Sequence, residues 1–252
     1  MTILWFAALL ANALLTTPTE QLLDARTRAY DANFQNDAAG LRRAVADFVA
    51  LADDPQVGRM ALYYAAWTEW GLAASELQAG DLLAAIRAGD RAVFYARRAL
   101  ERDTNDAEVV TMLINALIVV AVLDKERFME AAREIAPLRQ RVLERAPTNP
   151  RVVMMDAGII FNNPPERGGS RERGLARYLE AIQLLDREAE TAPTDVTRPA
   201  WGRVLAYGWV TGMYLGVSPP QVEKAREAAM TALKLRPDFW FVKTQVVPKL
   251  PK

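Results

Sequence analysis

Four stretches of this chain end in the same way, and that recurrence constrains the fold more than any other feature. Ala50-Leu51-Ala52-Asp53-Asp54-Pro55, Ala99-Leu100-Glu101-Arg102-Asp103-Thr104, Val142-Leu143-Glu144-Arg145-Ala146-Pro147 and Ala232-Leu233-Lys234-Leu235-Arg236-Pro237 share one shape, and a weaker copy ends at Pro193. The closing positions lie 49, 43, 46 and 44 residues apart, the length of two helices with their turns. Proline stops a helix because it lacks an amide hydrogen and its ring clashes with the preceding turn. One helical pair cannot bury both of its faces, so a period of this kind implies hairpins stacked side by side, each covering the next.

Helix signals fill the intervals and strand signals are nearly absent. Leu82, Leu83, Ile86, Ala92, Val93, Ala96, Ala99 and Leu100 form one apolar stripe, and Val222, Ala225, Ala229, Ala232 and Leu233 form another. Thr17-Pro18-Thr19-Glu20 and Ser218-Pro219-Pro220-Gln221 each offer a hydroxyl at the N-cap, proline at the first helical position and Glu or Gln at the third; Asn149-Pro150 repeats the first two parts. The pattern predicts five hairpins: 21–34 with 39–53, 59–79 with 81–102, 106–123 with 125–145, 150–161 with 171–190, and 199–215 with 219–235. Residues 109–123 are the most apolar run after the N-terminus; Asp106, Glu108, Asp124 and Lys125 bracket them, so a helix buried on nearly all sides is expected and not a span.

Several residues match a known pattern. Ala92-x3-Ala96-x2-Ala99-Leu100 and Ala225-x3-Ala229-x2-Ala232-Leu233 with Pro237 fit second helices, and Trp67-x2-Trp70-Gly71 stands where a first helix has Trp-x2-Leu-Gly. Over 17–237 the chain thereby resembles the tetratricopeptide repeat family. It departs from it in a unit longer than 34 residues, in Thr104 where proline ends a helix, and in Val142 and Glu188 where alanine is expected. Asn162-Asn163-Pro164-Pro165-Glu166-Arg167-Gly168-Gly169-Ser170 and the tail from Arg236 to Val242 with Pro248 resemble exported bacterial members with divergent repeats, including the repeat subunit of some TRAP-type transporters. The resemblance implies an all-α, right-handed superhelical solenoid of about five hairpins, with first helices on the concave wall. It also implies that polar positions of those helices face the groove; they fall on Thr111, Asn115, Arg151 and Asn162. Asn115 has two readings, since an amide in an apolar helix needs partners: a bond to a neighbouring helix, or a bond to a ligand. Trp67 and Trp201 join the set as aromatic edges, with core packing as the competing reading. The tail 238–252 would cap the last pair with Phe239, Trp240 and Phe241.

Composition narrows the chemistry. With Cys 0 and His 0, thiolate nucleophiles, disulfides, structural zinc sites and imidazole catalysis are excluded. Ser75, Ser170 and Ser218 therefore lack an imidazole base, and Asp186, Glu188 and Glu190 are expected on a solvated face. Thirty-one basic residues balance thirty-one acidic ones, so nucleic acid is not an expected partner, although Arg139, Arg141, Arg145 and Arg151 cluster around Pro147. Gly168-Gly169-Ser170 follows no strand and belongs to no phosphate-loop motif, so a turn is expected there. The expected function is a non-enzymatic scaffold, without cofactor or metal, holding a protein or peptide in the groove. The alternative is a periplasmic accessory that binds a small solute among Asn115, Asn162 and the tryptophans Trp67, Trp70, Trp201, Trp209 and Trp240 and hands it to a transport system.

Residues 3–15 are an apolar run too short to span a bilayer, and Ala11-Asn12-Ala13 supplies a small-x-small cleavage pattern, without a preceding Lys or Arg. A cleaved signal over 1–16 is expected, hence an exported protein with no span after removal; a cytoplasmic protein with an ordinary first helix is the alternative, and self-association stays open. Expressed in an exporting bacterium, the chain should be recovered from the envelope extract with an intact mass that begins near Thr17. Recovery of the full-length mass in the cell interior overturns the signal reading.

Overall fold

The computed structural model of the chain describes residues 16–191 and 193–251. The expected signal segment falls almost wholly outside the described residues. Those described form helices and turns with no strand, as the periodicity required, and none of the helices is long and apolar enough to cross a membrane. Ten α-helices make the five expected hairpins: α1 (Pro18–Gln35) with α2 (Ala38–Ala50), α3 (Gly58–Gln78) with α4 (Leu82–Arg102), α5 (Ala107–Leu123) with α6 (Phe128–Arg145), α7 (Pro150–Asn162) with α8 (Arg171–Ala189), and α9 (Arg203–Gly216) with α10 (Val222–Leu235).

Local chemistry sets the starts. The Thr17 hydroxyl accepts from the Glu20 amide at 3.2 Å while the Glu20 carboxylate accepts from the Thr17 amide at 2.7 Å, the reciprocal cap read from the sequence. Asp37, Asp81, Asp106, Asn149 and Ser170 cap α2, α4, α5, α7 and α8 through their side-chain oxygens. The start expected at Ser218 is displaced. α10 begins at Val222 without a side-chain cap, because the Gln221 amide donates to the Tyr214 carbonyl at 2.9 Å and holds both prolines in the connection.

The alanines that carry the repeat pattern sit at closest approach: Ala92, Ala96 and Ala99 of α4 and Ala225, Ala229 and Ala232 of α10 are fully buried. Gly174 of α8 lies against the backbone of Phe161 on α7, and a Cβ there would stand 2.6 Å from the Phe161 Cα, so only glycine allows those helices to meet. Consecutive helices pack throughout, and α1 on α3, α3 on α5 and α5 on α7 pack as well, which places the first helices of the pairs on the inner wall. α3 is central. Every residue from Met60 to Glu69 is buried, and α1, α2, α4 and α5 all touch it.

The stack does not stay open. The tail leaves α10 and crosses to the first helix: Arg236 Nη2 meets Asp31 at 2.7 Å, Gln35 donates to Asp238 at 3.0 Å, and the rings of Phe34 and Phe239 meet edge to face at 5.1 Å. The connection from α8 to α9 makes a second crossing. Arg26 donates to the Val196 carbonyl at 2.7 Å, the Tyr64 hydroxyl to the Thr197 carbonyl at 3.1 Å, and the Trp201 indole to the Tyr63 hydroxyl at 2.7 Å. The tail therefore packs on α9, where Phe239 faces Gly208, and also clasps the beginning of the stack to its end. An open concave groove is replaced by a surface largely filled by the chain itself.

A buried ion cluster ties the middle to this closure. Arg151, 2% exposed, gives Nε to both oxygens of Glu108 at 2.9 Å and Nη1 to Glu188 at 2.9 Å and to the Trp201 carbonyl at 2.7 Å. Burial alone would favour loss of the charge, but Glu108 and Glu188 outweigh it and hold the guanidinium's proton more firmly than water does. Arg151→Ala leaves Glu108 buried without a cation and should cost about 3–5 kcal/mol in urea unfolding. Phe239→Ala should cost about 3–5 kcal/mol for its own packing and should also speed hydrogen exchange in α1, which a simple end cap would not do.

Candidate functional site

Where the inner helices diverge, packing leaves space. A cavity of about 510 Å³ lies between α3, α5, α6, α7, α8 and α9, within the size range of small-molecule sites. Its walls are mostly apolar: Trp70 and Trp209 at one side, Ile118, Val122, Phe128 and Ile135 along α5 and α6, and Met154, Met155 and Ile159 on α7. Trp70 and Trp209 meet edge to face at 5.5 Å, and both are only half-buried. Across this pair a second cavity of about 320 Å³ shares Trp70, Ile118, Val122 and Trp209, is backed by Phe239, Trp240 and Phe241, and carries the amides of Asn33 and Asn36.

The polar groups of the larger cavity are few and of one character. They are the amides of Asn115, Asn162 and Asn163, the guanidinium groups of Arg139 and Arg167, and the phenol of Tyr178, with no Asp or Glu in the wall. Arg139 Nε donates at 2.8 Å to Asp156, which stands behind the wall and also faces Arg177 Nε at 3.5 Å, so one carboxylate serves two cations. Arg167 lies on a single 3-10 turn, Pro165–Arg167, with its guanidinium 5.1 Å from the Phe128 ring centre and no carboxylate partner among the described residues. Tyr178 is 3% exposed, and its hydroxyl has no hydrogen-bond partner among the described residues. Burial pushes that phenol well above its ordinary value, so it is a neutral donor at any physiological pH.

The six residues singled out in the sequence separate into two groups. Asn115 and Asn162 reach the larger cavity together. Among the described residues no neighbouring helix bonds the Asn115 amide, and Asn162 Nδ2 donates to its own helix at the Gly158 carbonyl, 2.8 Å away. The other four are placed in the interior. Thr111 is buried with its hydroxyl donating to the Ala107 carbonyl at 2.7 Å, Arg151 is consumed by its carboxylates, and Trp67 and Trp201 pack with ring centres 6.0 Å apart. For Arg151 and Trp67 the cover comes from the chain crossing at Trp201, whose carbonyl accepts from Arg151 and whose ring packs on Trp67.

Other expectations are also revised. Asp186 and Glu188 are not on a solvated face: Asp186 accepts from Arg203 at 2.7 Å and Tyr207 at 2.8 Å, and Glu188 joins Arg151. Of the arginines around Pro147, Arg139 and Arg151 are drawn inward to Asp156 and Glu108, while Arg145 bonds the neutral amide of Asn105. The glycines near 168 make the expected turn, and its amides are spent within it: Gly168 donates to Pro165, Gly169 to Pro164 and Ser170 to Ile160, at 2.9 to 3.1 Å. Sequence reasoning missed Tyr178, Arg167 and Met155; Tyr178 lies in α8, a second helix, where the repeat pattern points to packing.

No protein-family model and no curated protein matches the sequence. Among solved structures the chain is similar to the HusA haemophore from Porphyromonas gingivalis, with 20% identity, a TM-score of 0.64, and coverage of 81% of this chain and 96% of that one. At that identity the likeness concerns the fold.

The geometry separates cavity residues from scaffold residues by measurement. Asn115→Ala should change unfolding stability by less than about 1 kcal/mol, since its amide holds no protein group. A larger loss means that Asn115 is tied into the helix packing after all.

Proposed function

We propose that this protein is a non-enzymatic carrier that encloses a small, mostly apolar organic molecule in the cavity bounded by Trp70, Trp209, Asn115 and Tyr178. The observation that carries this reading is the closure of the stack. The chain fills its own inner wall with Trp201, the 195–201 connection and Phe239, and the space it leaves has the volume of a small-molecule site. The wall supports the same conclusion, being aromatic and aliphatic with a handful of polar groups.

The likeness to a haemophore supports a carrying role, and with it an exported protein that passes its cargo to an uptake system. Haem itself is one cargo the cavity is suited to test. With no histidine and no cysteine in the chain, the wall residues whose side chains are of a kind that ligates haem iron are Met154, Met155 and Tyr178. We read the hairpins as divergent tetratricopeptide-type units whose groove has been converted from a peptide track into an enclosure.

Gly158 gives a direct test, because it lies in the cavity wall and a Cβ added there meets nothing within 4 Å. Gly158→Leu should fold with equal or slightly greater stability, since leucine is the better helix former by about 0.5–1 kcal/mol. Native mass spectrometry of the protein from the envelope extract should show a bound molecule of a few hundred daltons in the natural chain and none in the variant. A natural chain that carries no small molecule but captures a protein that Gly158→Leu does not release would return the scaffold reading.

A further inference from the structure

Beside the larger cavity, across the Trp70–Trp209 pair, lies the smaller one, with a different kind of wall. We propose that the two are one binding site, occupied by a single elongated, mostly apolar molecule that lies across Trp70 and Trp209 and puts an uncharged end into the smaller space. This deepens the carrier reading and rests on it.

The first observation is the seam between the two spaces. Trp70, Ile118, Val122 and Trp209 belong to both walls, so no layer of other residues stands between them. Val122 is 69% exposed, more than any other large apolar side chain among the described residues, so the seam reaches the surface and needs no buried channel. Apolar surface continues to either side, in Leu77 of the smaller wall and Phe128 of the larger, both open to water. A molecule that crosses the seam takes this surface out of water, where two separate molecules would leave the seam wet. At about 320 Å³ the smaller space is near the lower limit for a small-molecule site, and as an extension of the larger it needs no ligand of its own. The second observation is the polar make-up of the smaller wall. It holds no ionisable side chain among the described residues, and its polar members are Asn33, Asn36, Ser75 and Gln78. A charge placed there would exchange water for neutral partners alone, whereas a methyl, hydroxyl or carbonyl end loses little. The Asn33 and Asn36 amides bond no protein group among the described residues, and Gly71 gives the first of them its room: a Cβ there would stand 2.5 Å from Asn33 Oδ1. The larger wall carries Arg139 and Arg167, so the two ends of the site differ, and the smaller is the one for an uncharged group.

Fluorescence titration of the full chain with diphenylhexatriene, an uncharged rod that emits in apolar surroundings, tests this. One copy should bind per chain. Ala74→Leu, at an exposed position of the smaller wall, and Gly158→Leu, in the larger, should each weaken it about ten-fold or more without lowering the unfolding temperature. Dodecanol and dodecanoate, each with an uncharged end to offer, should displace the rod, and dodecanedioate, charged at both ends, should do so about ten-fold less well. Two copies per chain, each lost to one variant, would make the spaces independent sites and overturn the proposal. One copy that only one of the variants weakens overturns it too, and in both cases the carrier reading stands. Displacement by dodecanedioate as strong as by dodecanoate overturns the uncharged end. If the rod does not bind, native mass spectrometry of the molecule carried by the natural chain decides. Its loss from both variants supports the bridged site, and its loss from Gly158→Leu alone overturns it. If the natural chain carries no molecule either, the carrier reading and the bridged site fall together.

Discussion

The whole arrangement depends on α3, a helix with no face suited to water. Its run from Met60 to Glu69 is buried without interruption, and Tyr63, Tyr64 and Trp67 project large aromatic groups in more than one direction. A helix of that kind lowers its free energy only when surrounded, since each large apolar side chain left in water forgoes about 1.5–3 kcal/mol. α2 and α4 cover it on the outside, and α1 and α5 flank it on the inner wall. That leaves the side facing the hollow of the stack, and the late part of the chain supplies the cover: Trp201 bonds Tyr63 and packs on Trp67, while the Thr197 carbonyl accepts from Tyr64. The demand to bury α3 is thus also the demand that closes the superhelix.

Closure has an electrostatic counterpart in Arg151. Its guanidinium joins α5 through Glu108, α8 through Glu188 and the last connection through the Trp201 carbonyl, so one side chain reports on the placement of three parts of the chain. Pairs of this kind contribute little net stability against an apolar alternative, but breaking one leaves a buried charge exposed to no compensating field. The cluster is accordingly better described as a register device than as a source of stability. Asp106 has a similar place at the start of α5, where it caps the helix and pairs with Arg59 and Arg198.

Within this tightly specified background the larger cavity carries polar groups that the protein itself does not pair. Elsewhere buried carboxylates are matched, as Glu69 is by Arg91 at 2.6 and 2.9 Å, although the Tyr30 hydroxyl and the Trp67 indole N–H are also buried without a partner among the described residues. Around the cavity the Tyr178 hydroxyl has no acceptor, the Asn115 amide bonds no neighbouring helix among the described residues, and the guanidinium groups outnumber the carboxylates. Functional sites are where a fold tolerates such local conflict, because the ligand resolves it.

The sequence by itself determined the helices, their pairing and the stacking plan. Those properties follow from contacts a few residues apart: the caps at Thr17, Asp81 and Asn149, and the alanine rows of α4 and α10, whose spacing already states that another helix lies within reach. It also marked Asn115, because an amide in an apolar helix is conspicuous without any knowledge of its surroundings, while Asn162 came from the positions that the repeat resemblance implies. Only the tertiary structure decided that Arg151, Thr111, Trp67 and Trp201 are interior, that Tyr178 borders a cavity, and that the tail reaches Asp31 and Phe34. The physical reason is one of range. Residues 31 and 236 are 205 positions apart, and whether they meet depends on the summed curvature of five hairpins, each set by packing details too small to appear in a residue pattern. Short-range periodicity specifies the pieces, while the accumulated angle between them decides whether the inner wall becomes a groove or an enclosure.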